Sequence, residues 1–141
     1  MVAISNTPIQ CASEFYDKSK STRYKTCKFE PTPKMSTYIA ALVIGEFDYV
    51  SLQSPTSKIM TSVYTMPGKG NQGRFCLTTA SKALDFFIEQ YGFAYPLQKS
   101  DLLAIPDFAA GAMENWGCVT YREAKILTDV GTSLVLKKGK L

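Results

Sequence analysis

The stretch Asn71-Gln72-Gly73-Arg74-Phe75-Cys76-Leu77-Thr78-Thr79-Ala80-Ser81-Lys82-Ala83-Leu84-Asp85-Phe86-Phe87-Ile88-Glu89-Gln90-Tyr91-Gly92 decides the fold class. Its apolar side chains recur at Cys76, Leu77, Ala80, Ala83, Leu84, Phe87, Ile88 and Tyr91, in steps of three and four. Such spacing draws one stripe on one face of an α-helix and implies core packing. Asn71 is placed to cap the N-terminus and Gly92 to end the helix. The flanking segments have strand texture instead. Residues 36–44 read as a strand buried on both faces, residues 47–52 as a half-buried alternating strand, and residues 59–65 as a second alternating strand. Beyond the helix, residues 101–105 form a short buried strand closed by Pro106, and residues 118–122 another. Residues 124–127 suit a third. Strands, one long helix and strands again predict a mixed α/β architecture.

Size and composition narrow the function. With 141 residues the chain has room for about one domain's core and not for a large multi-domain enzyme. Hydrophobic residues at 45% against 20% charged mark a globular chain rather than a disordered one. The formal charge of +4 comes with no arginine-rich stripe, so nucleic acid is not an expected partner. The sequence contains 0 histidines, which excludes from this chain Ser-His and Cys-His nucleophiles and any zinc site with a His ligand.

Cys11, Cys27, Cys76 and Cys118 stand too far apart for a Cys-x-x-Cys site, and free, mostly buried thiols are expected in preference to a two-disulfide framework. No secretory signal and no membrane-length apolar run is legible, and Asn6-Thr7-Pro8 is spoiled as a glycosylation acceptor. A cytoplasmic location, without a membrane partner, is the expectation. Residues 5–34 are polar, interrupted by Pro8, Pro31 and Pro33, and carry a basic patch from Lys18 to Lys28 that reads as a solvated loop or strand edge. A domain seam is expected near residues 53–60.

Between two of the expected strands lies Pro106-Asp107-Phe108-Ala109-Ala110-Gly111-Ala112-Met113-Glu114-Asn115-Trp116-Gly117. It suits a plain turn, with small residues for close approach and Asn115-Trp116-Gly117 for a bend. It also suits a binding edge: a carboxylate at a strand end can pair with an ammonium group, and bare backbone can accept an extended peptide as an added strand.

Gly111-Ala112-Met113-Glu114-Asn115 resembles the Gly-x-Met-Glu-Asn (GAMEN) exopeptidase motif of the aminopeptidase N family of zinc metallopeptidases, most closely its puromycin-sensitive branch. Ser5-Asn6-Thr7-Pro8, Thr32-Pro33-Lys34-Met35-Ser36-Thr37-Tyr38, Gly45-Glu46-Phe47-Asp48-Tyr49-Val50, Tyr95-Pro96-Leu97 and Val119-Thr120-Tyr121-Arg122-Glu123 resemble further family landmarks in the family's order. The resemblance covers about residues 3–129.

It implies that residues 1–55 are the end of an all-β saddle domain. Residues 56–129 would then open a thermolysin-like catalytic domain, and residues 130–141 form a divergent basic tail. It also implies a substrate-binding set of Gly111, Ala112, Met113, Glu114 and Asn115. Glu114 takes the α-amino group of a peptide N-terminus. Gly111 and Ala112 offer backbone, Met113 walls the first side-chain pocket, and Asn115 holds the loop while Trp116 packs. The family's zinc is held by His-Glu-x-x-His and a later Glu, with the motif Glu as general base. That segment should follow residue 129, where instead three lysines crowd Lys137 to Lys140. The expectation is therefore a truncated, catalytically inactive piece of a zinc aminopeptidase, with no catalytic residue and no metal ligand of its own. The alternative is a non-catalytic peptide- or partner-binding remnant that interferes with a full-length aminopeptidase. Exposed strand edges make self-association or aggregation an expected property of either.

Overall fold

The computed structural model describes residues 1–128 and is mixed α/β, as expected. The chain begins with β1 (Val2–Ser5), then the long hairpin β2 (Ile9–Asp17) and β3 (Thr22–Phe29). A short 3-10 turn (Thr37–Ile39) leads to β4 (Leu42–Gly45), which returns to pair antiparallel with β1. A second hairpin follows, β5 (Asp48–Gln53) and β6 (Met60–Thr65). Helix α1 (Arg74–Tyr91) then crosses over to β7 (Lys99–Ile105), which lies parallel to β6. The described chain closes with β8 (Ala112–Met113), β9 (Cys118–Arg122) and one helical turn, α2 (Glu123–Ile126). The main sheet has five strands in the order β5-β6-β7-β9-β8, so β8 forms one of its edges.

Side-chain alternation along the central strands feeds two cores. Val63, Leu102 and Ala104 point to one face, where Leu77 of α1 and Ile126 of α2 cover them. Leu103 points to the other face and packs with Ile4 and Cys118, with Val43 and Tyr64 alongside. The layers are thus the β1–β4 pair, the five-stranded sheet and the helices. Strand β7 is the buried strand that residues 101–105 predict, because both of its faces are roofed.

Several elements depart from expectation. Residues 36–44 do not make one strand: the Ser36 hydroxyl accepts from the Tyr38 N–H and starts a 3-10 turn, and only Leu42–Gly45 is extended. That strand is roofed on one face alone, so Leu42 and Ile44 remain exposed while Val43 packs inward. Residues 124–127 fall in the helical turn α2 and its C-cap rather than a strand, closed by the Leu127 N–H on the Glu123 carbonyl. Four residues, Ala124-Lys125-Ile126-Leu127, are too few to carry a period that separates the two. Asn71 does not cap α1: its Oδ1 accepts from Arg74 Nε, and a 3-10 turn (Gly70–Gly73) precedes the helix. Gly92 does end it, at φ +66.

The apolar stripe of α1 is covered unevenly. Leu77 is buried, whereas Phe87 and Tyr91 stack on each other in the open. The polar stretch 5–34 is mainly the β2–β3 ribbon, and no other strand pairs with it among the described residues. Cys11, on that ribbon, is consequently exposed. All four thiols are free as expected, but only Cys118 is fully buried, and burial pushes its thiol up to about 11. Residues 53–60, where a seam is expected, carry the turn joining β5 to β6, two paired strands of the same sheet. Ser54 shapes that turn, its Oγ accepting from the N–H groups of Thr56 and Ser57. Among the described residues no helix is long and apolar enough to cross a membrane.

Candidate functional site

The segment 106–117 is a built edge of the main sheet. Ala112 lies opposite Tyr121 and Met113 opposite Thr120 in an antiparallel ladder. The Gly111 carbonyl accepts from the Arg122 N–H at 3.1 Å. In such a ladder the bonding side alternates with each residue, so Ala112 turns its own N–H and C=O to the open side of the sheet. Glu114 stands one residue beyond the last ladder pair. Continuing the register sets it beside Val119, at the end of the cross-strand row Val50, Val63, Leu102 and Val119, on the face that the helices cover. Its side chain is exposed, and no hydrogen bond or ion pair engages the carboxylate among the described residues. Met113 is half-buried and, by alternation, belongs to the opposite face.

After Glu114 the chain turns sharply. The Cys118 N–H bonds the Asn115 carbonyl at 3.0 Å, and Gly117, third in that turn, sits at φ +73. A Cβ on Gly117 would run into the Asn6 carbonyl oxygen and lie 2.7 Å from Leu97 Cδ1. Gly117→Ala combines backbone strain with a clash against main chain, and is expected to cost roughly 2 kcal/mol or more, read as a lowered thermal midpoint. Asn115 is buried. Its Nδ2 reaches the Ala40 carbonyl at 3.5 Å and its Oδ1 lies 3.4 Å from Thr120 Oγ1, so its side chain is turned into the protein to hold the loop.

Two grips fix this edge, and neither is apparent from the motif. At its start, the Arg122 guanidinium donates from Nε to the Phe108 carbonyl at 2.9 Å and from Nη2 to the Ala109 carbonyl at 2.6 Å. At its end, Asn6 donates from Nδ2 to the carbonyls of Ile39 and Trp116, and its Oδ1 accepts from the Ala41 N–H. Beside it, Lys99 Nζ donates at 2.7 Å to the carbonyls of Ser5 and Gly117 and pairs at 2.7 Å with Asp101 Oδ2. This pair is interior, with side-chain exposures of 13% and 3%, so it differs in kind from a solvated surface bridge. Burial raises the Asp101 carboxyl above its ordinary 3.8, while Lys99 and a hydrogen bond from Ser62 pull the other way. A sequence signal for the pair exists: Lys99 and Asp101 sit two apart on one strand, hence on one side of it, and an acid opening the apolar run Leu102-Leu103-Ala104-Ile105 needs a partner.

The residues present do not fit the family's zinc. The sequence has 0 histidines, and no three acidic, cysteine or histidine side chains converge among the described residues. What the edge offers instead is an exposed carboxylate beside backbone groups that no strand pairs among the described residues.

Comparison with known proteins bears on the family. Residues 75–140 match the model of the peptidase family M1 domain, running past residue 129, where the resemblance was expected to stop. Over 117 residues the chain is 45% identical to a puromycin-sensitive aminopeptidase of Caenorhabditis elegans, covering 83% of this chain and 12% of that protein. It is 43% identical over 141 residues to aminopeptidase M1 of Arabidopsis thaliana, covering 100% of this chain and 15% of the relative. With aminopeptidase N of Rattus norvegicus the identity is 42% over 120 residues, 84% of this chain and 12% of the relative. The chain therefore spans between 12% and 15% of the length of these relatives.

Proposed function

This chain belongs to the M1 family of peptidases, and from that premise we propose that residues 111–115 are the part of an aminopeptidase that recognises peptide N-termini. The carrying observation is the exposed Glu114 carboxylate beside the open edge of β8. In this reading Glu114 accepts charge-assisted hydrogen bonds from the substrate's α-ammonium group. The outward N–H and C=O of Ala112 pair with the peptide main chain as an added strand, with Gly111 leaving room for its approach. Met113 lines the first side-chain pocket, and Asn115 serves by holding the turn. An internal or N-acetylated peptide brings no cation, leaving the desolvated carboxylate unpaired, and this selects exopeptidase substrates.

The remaining parts of the reading are proposals of the same kind. Residues 1–55 correspond to the end of a β saddle domain, whose last strand β5 pairs with β6 across the boundary, and residues 56–129 to the opening of a thermolysin-like domain. The zinc of such peptidases is held by residues other than these, so the 141 residues alone bind without hydrolysing. The location is cytoplasmic. Exposed Phe87 and Tyr91 on α1 favour self-association at high concentration.

The test uses the 141-residue chain and a fluorescent pentapeptide with either a free or an acetylated N-terminus. The free form is expected to bind at least about tenfold more tightly, with no turnover, and Glu114→Gln to erase the difference. Equal binding of the two peptides by the wild type removes the amine-anchor reading. A chain that binds neither leaves only family membership.

A further inference from the structure

We propose that Arg122 is a positioning residue for the amine-recognising edge, an inference that rests on the function proposed above. One residue takes three carbonyls of the segment that leads into β8. Its guanidinium holds those of Phe108 and Ala109, at 2.9 and 2.6 Å, and its backbone N–H holds that of Gly111 at 3.1 Å. The segment so held has little else to fix it: Pro106, Asp107, Ala109, Ala110 and Gly111 are exposed, and Asp107 sits at φ +51, outside the range most side chains favour. Strand β8 is only two residues long, so its ladder cannot define its own direction. Arg122 lies one residue beyond Tyr121, the ladder partner of Ala112, and therefore ties the edge to β9 at the point where β8 begins.

The geometry requires a fork. A guanidinium presents several N–H groups in one plane, fixed relative to each other, and so sets the spacing of two successive carbonyls. A lysine ammonium has one nitrogen on a flexible stem and cannot hold both at these distances with one orientation. The consequence falls on recognition. With the segment held, the outward groups of Ala112 and the Glu114 carboxylate keep a constant separation along the edge, as an extended peptide's main chain and its ammonium group require. With it released, the two contacts are no longer available at once.

The deciding variant is Arg122→Lys in the 141-residue chain, which keeps the charge on a flexible aliphatic stem but loses the fork. Two quantities are read together. One is amide hydrogen exchange at Met113, which faces Thr120 in the ladder, against Leu103 in the central strand as the internal reference. The other is the affinity ratio for the free and acetylated pentapeptides. The expected result is exchange at Met113 faster by about tenfold with Leu103 unchanged, and a free-to-acetylated ratio falling from at least tenfold to below about threefold. Faster exchange with an intact ratio makes Arg122 merely structural and overturns the proposal. A collapsed ratio with unchanged exchange means that Arg122 touches the peptide itself, which also overturns it. If the wild type binds both peptides alike, the amine anchor has failed separately. The positioning claim is then decided by whether Met113 exchange and the shared affinity change together.

Discussion

Glu114→Gln lowers kcat/KM on aminoacyl substrates by a factor on the order of 10² to 10³ when residues 1–128 replace the homologous stretch of a full-length M1 aminopeptidase, with bound metal unchanged. The size follows from the chemistry. Glutamine has nearly the shape of glutamate, so the exposed strand end suffers no packing loss, but the charge that an ammonium group meets is gone. Charge-assisted hydrogen bonds contribute about 1.5–3 kcal/mol. A charge preorganised for the reacting substrate contributes up to about 4 kcal/mol. Each 1.36 kcal/mol is tenfold in rate. Metal content is the control, because loss of metal with turnover would show damage to the host's other half. Persistence of wild-type turnover in the glutamine variant, with metal retained, refutes the anchor.

The second large effect is on stability. Lys99→Met leaves the Asp101 carboxylate in the interior without its cation and removes the donor from the carbonyls of Ser5 and Gly117. Breaking one side of a buried pair costs about 3–5 kcal/mol, a large share of the roughly 5–15 kcal/mol that holds a small domain folded. Urea unfolding followed by Trp116 fluorescence reads it directly. Adding Asp101→Leu recovers part of the loss, since the orphaned charge is gone, but the two carbonyls still lack a donor. A single-variant loss below about 1 kcal/mol would place the pair among solvated surface bridges.

The pair also sets a pH dependence whose sign is opposite to that of an exposed ion pair. Burial raises the folded carboxyl of Asp101 above its ordinary 3.8. Between these two values the folded state binds more protons than the unfolded state, so stability falls as pH rises. Asp101's contribution is therefore fullest below the ordinary value and is lost as pH climbs through the folded one. In Lys99→Met the opposing influence of the ammonium group is removed, so the fall extends to higher pH and its total grows. Unfolding curves of both proteins at three pH values from the ordinary carboxyl value upward test this.

Where apolar spacing ran for many residues, the sequence was readable. The stripe of α1 and its Gly92 stop, the buried run of β7 and the strand 118–122 all appear in the structure. Short segments failed because their outcome depends on neighbours distant in sequence. Residues 36–44 have strand composition, yet the Ser36 cap and the single roof over β4 divide them. Residues 124–127 are too few to show a period. In the site, the motif marks the segment proposed for recognition but not what holds it. Asn6, Lys99 and Arg122 act on main-chain carbonyls, which carry no residue-type signature, so nothing in segment 106–117 names its supports. Only the acid at Asp101 within an apolar run was a local sign.

The Asn6 grip has a kinetic meaning. Its bond to the Trp116 carbonyl joins residues 110 apart, and the Lys99 bond to the Ser5 carbonyl joins residues 94 apart. Contacts of such separation close late, after local hairpins and the helix have formed, because loop entropy is spent before they repay it. Among the described elements β1 is made first, and it takes its place on the sheet only after β7 and β9 have formed. The β8 edge is therefore completed among the last events in the folding of the described residues. Its integrity reports whether Asn6 and the turn before β9 have met.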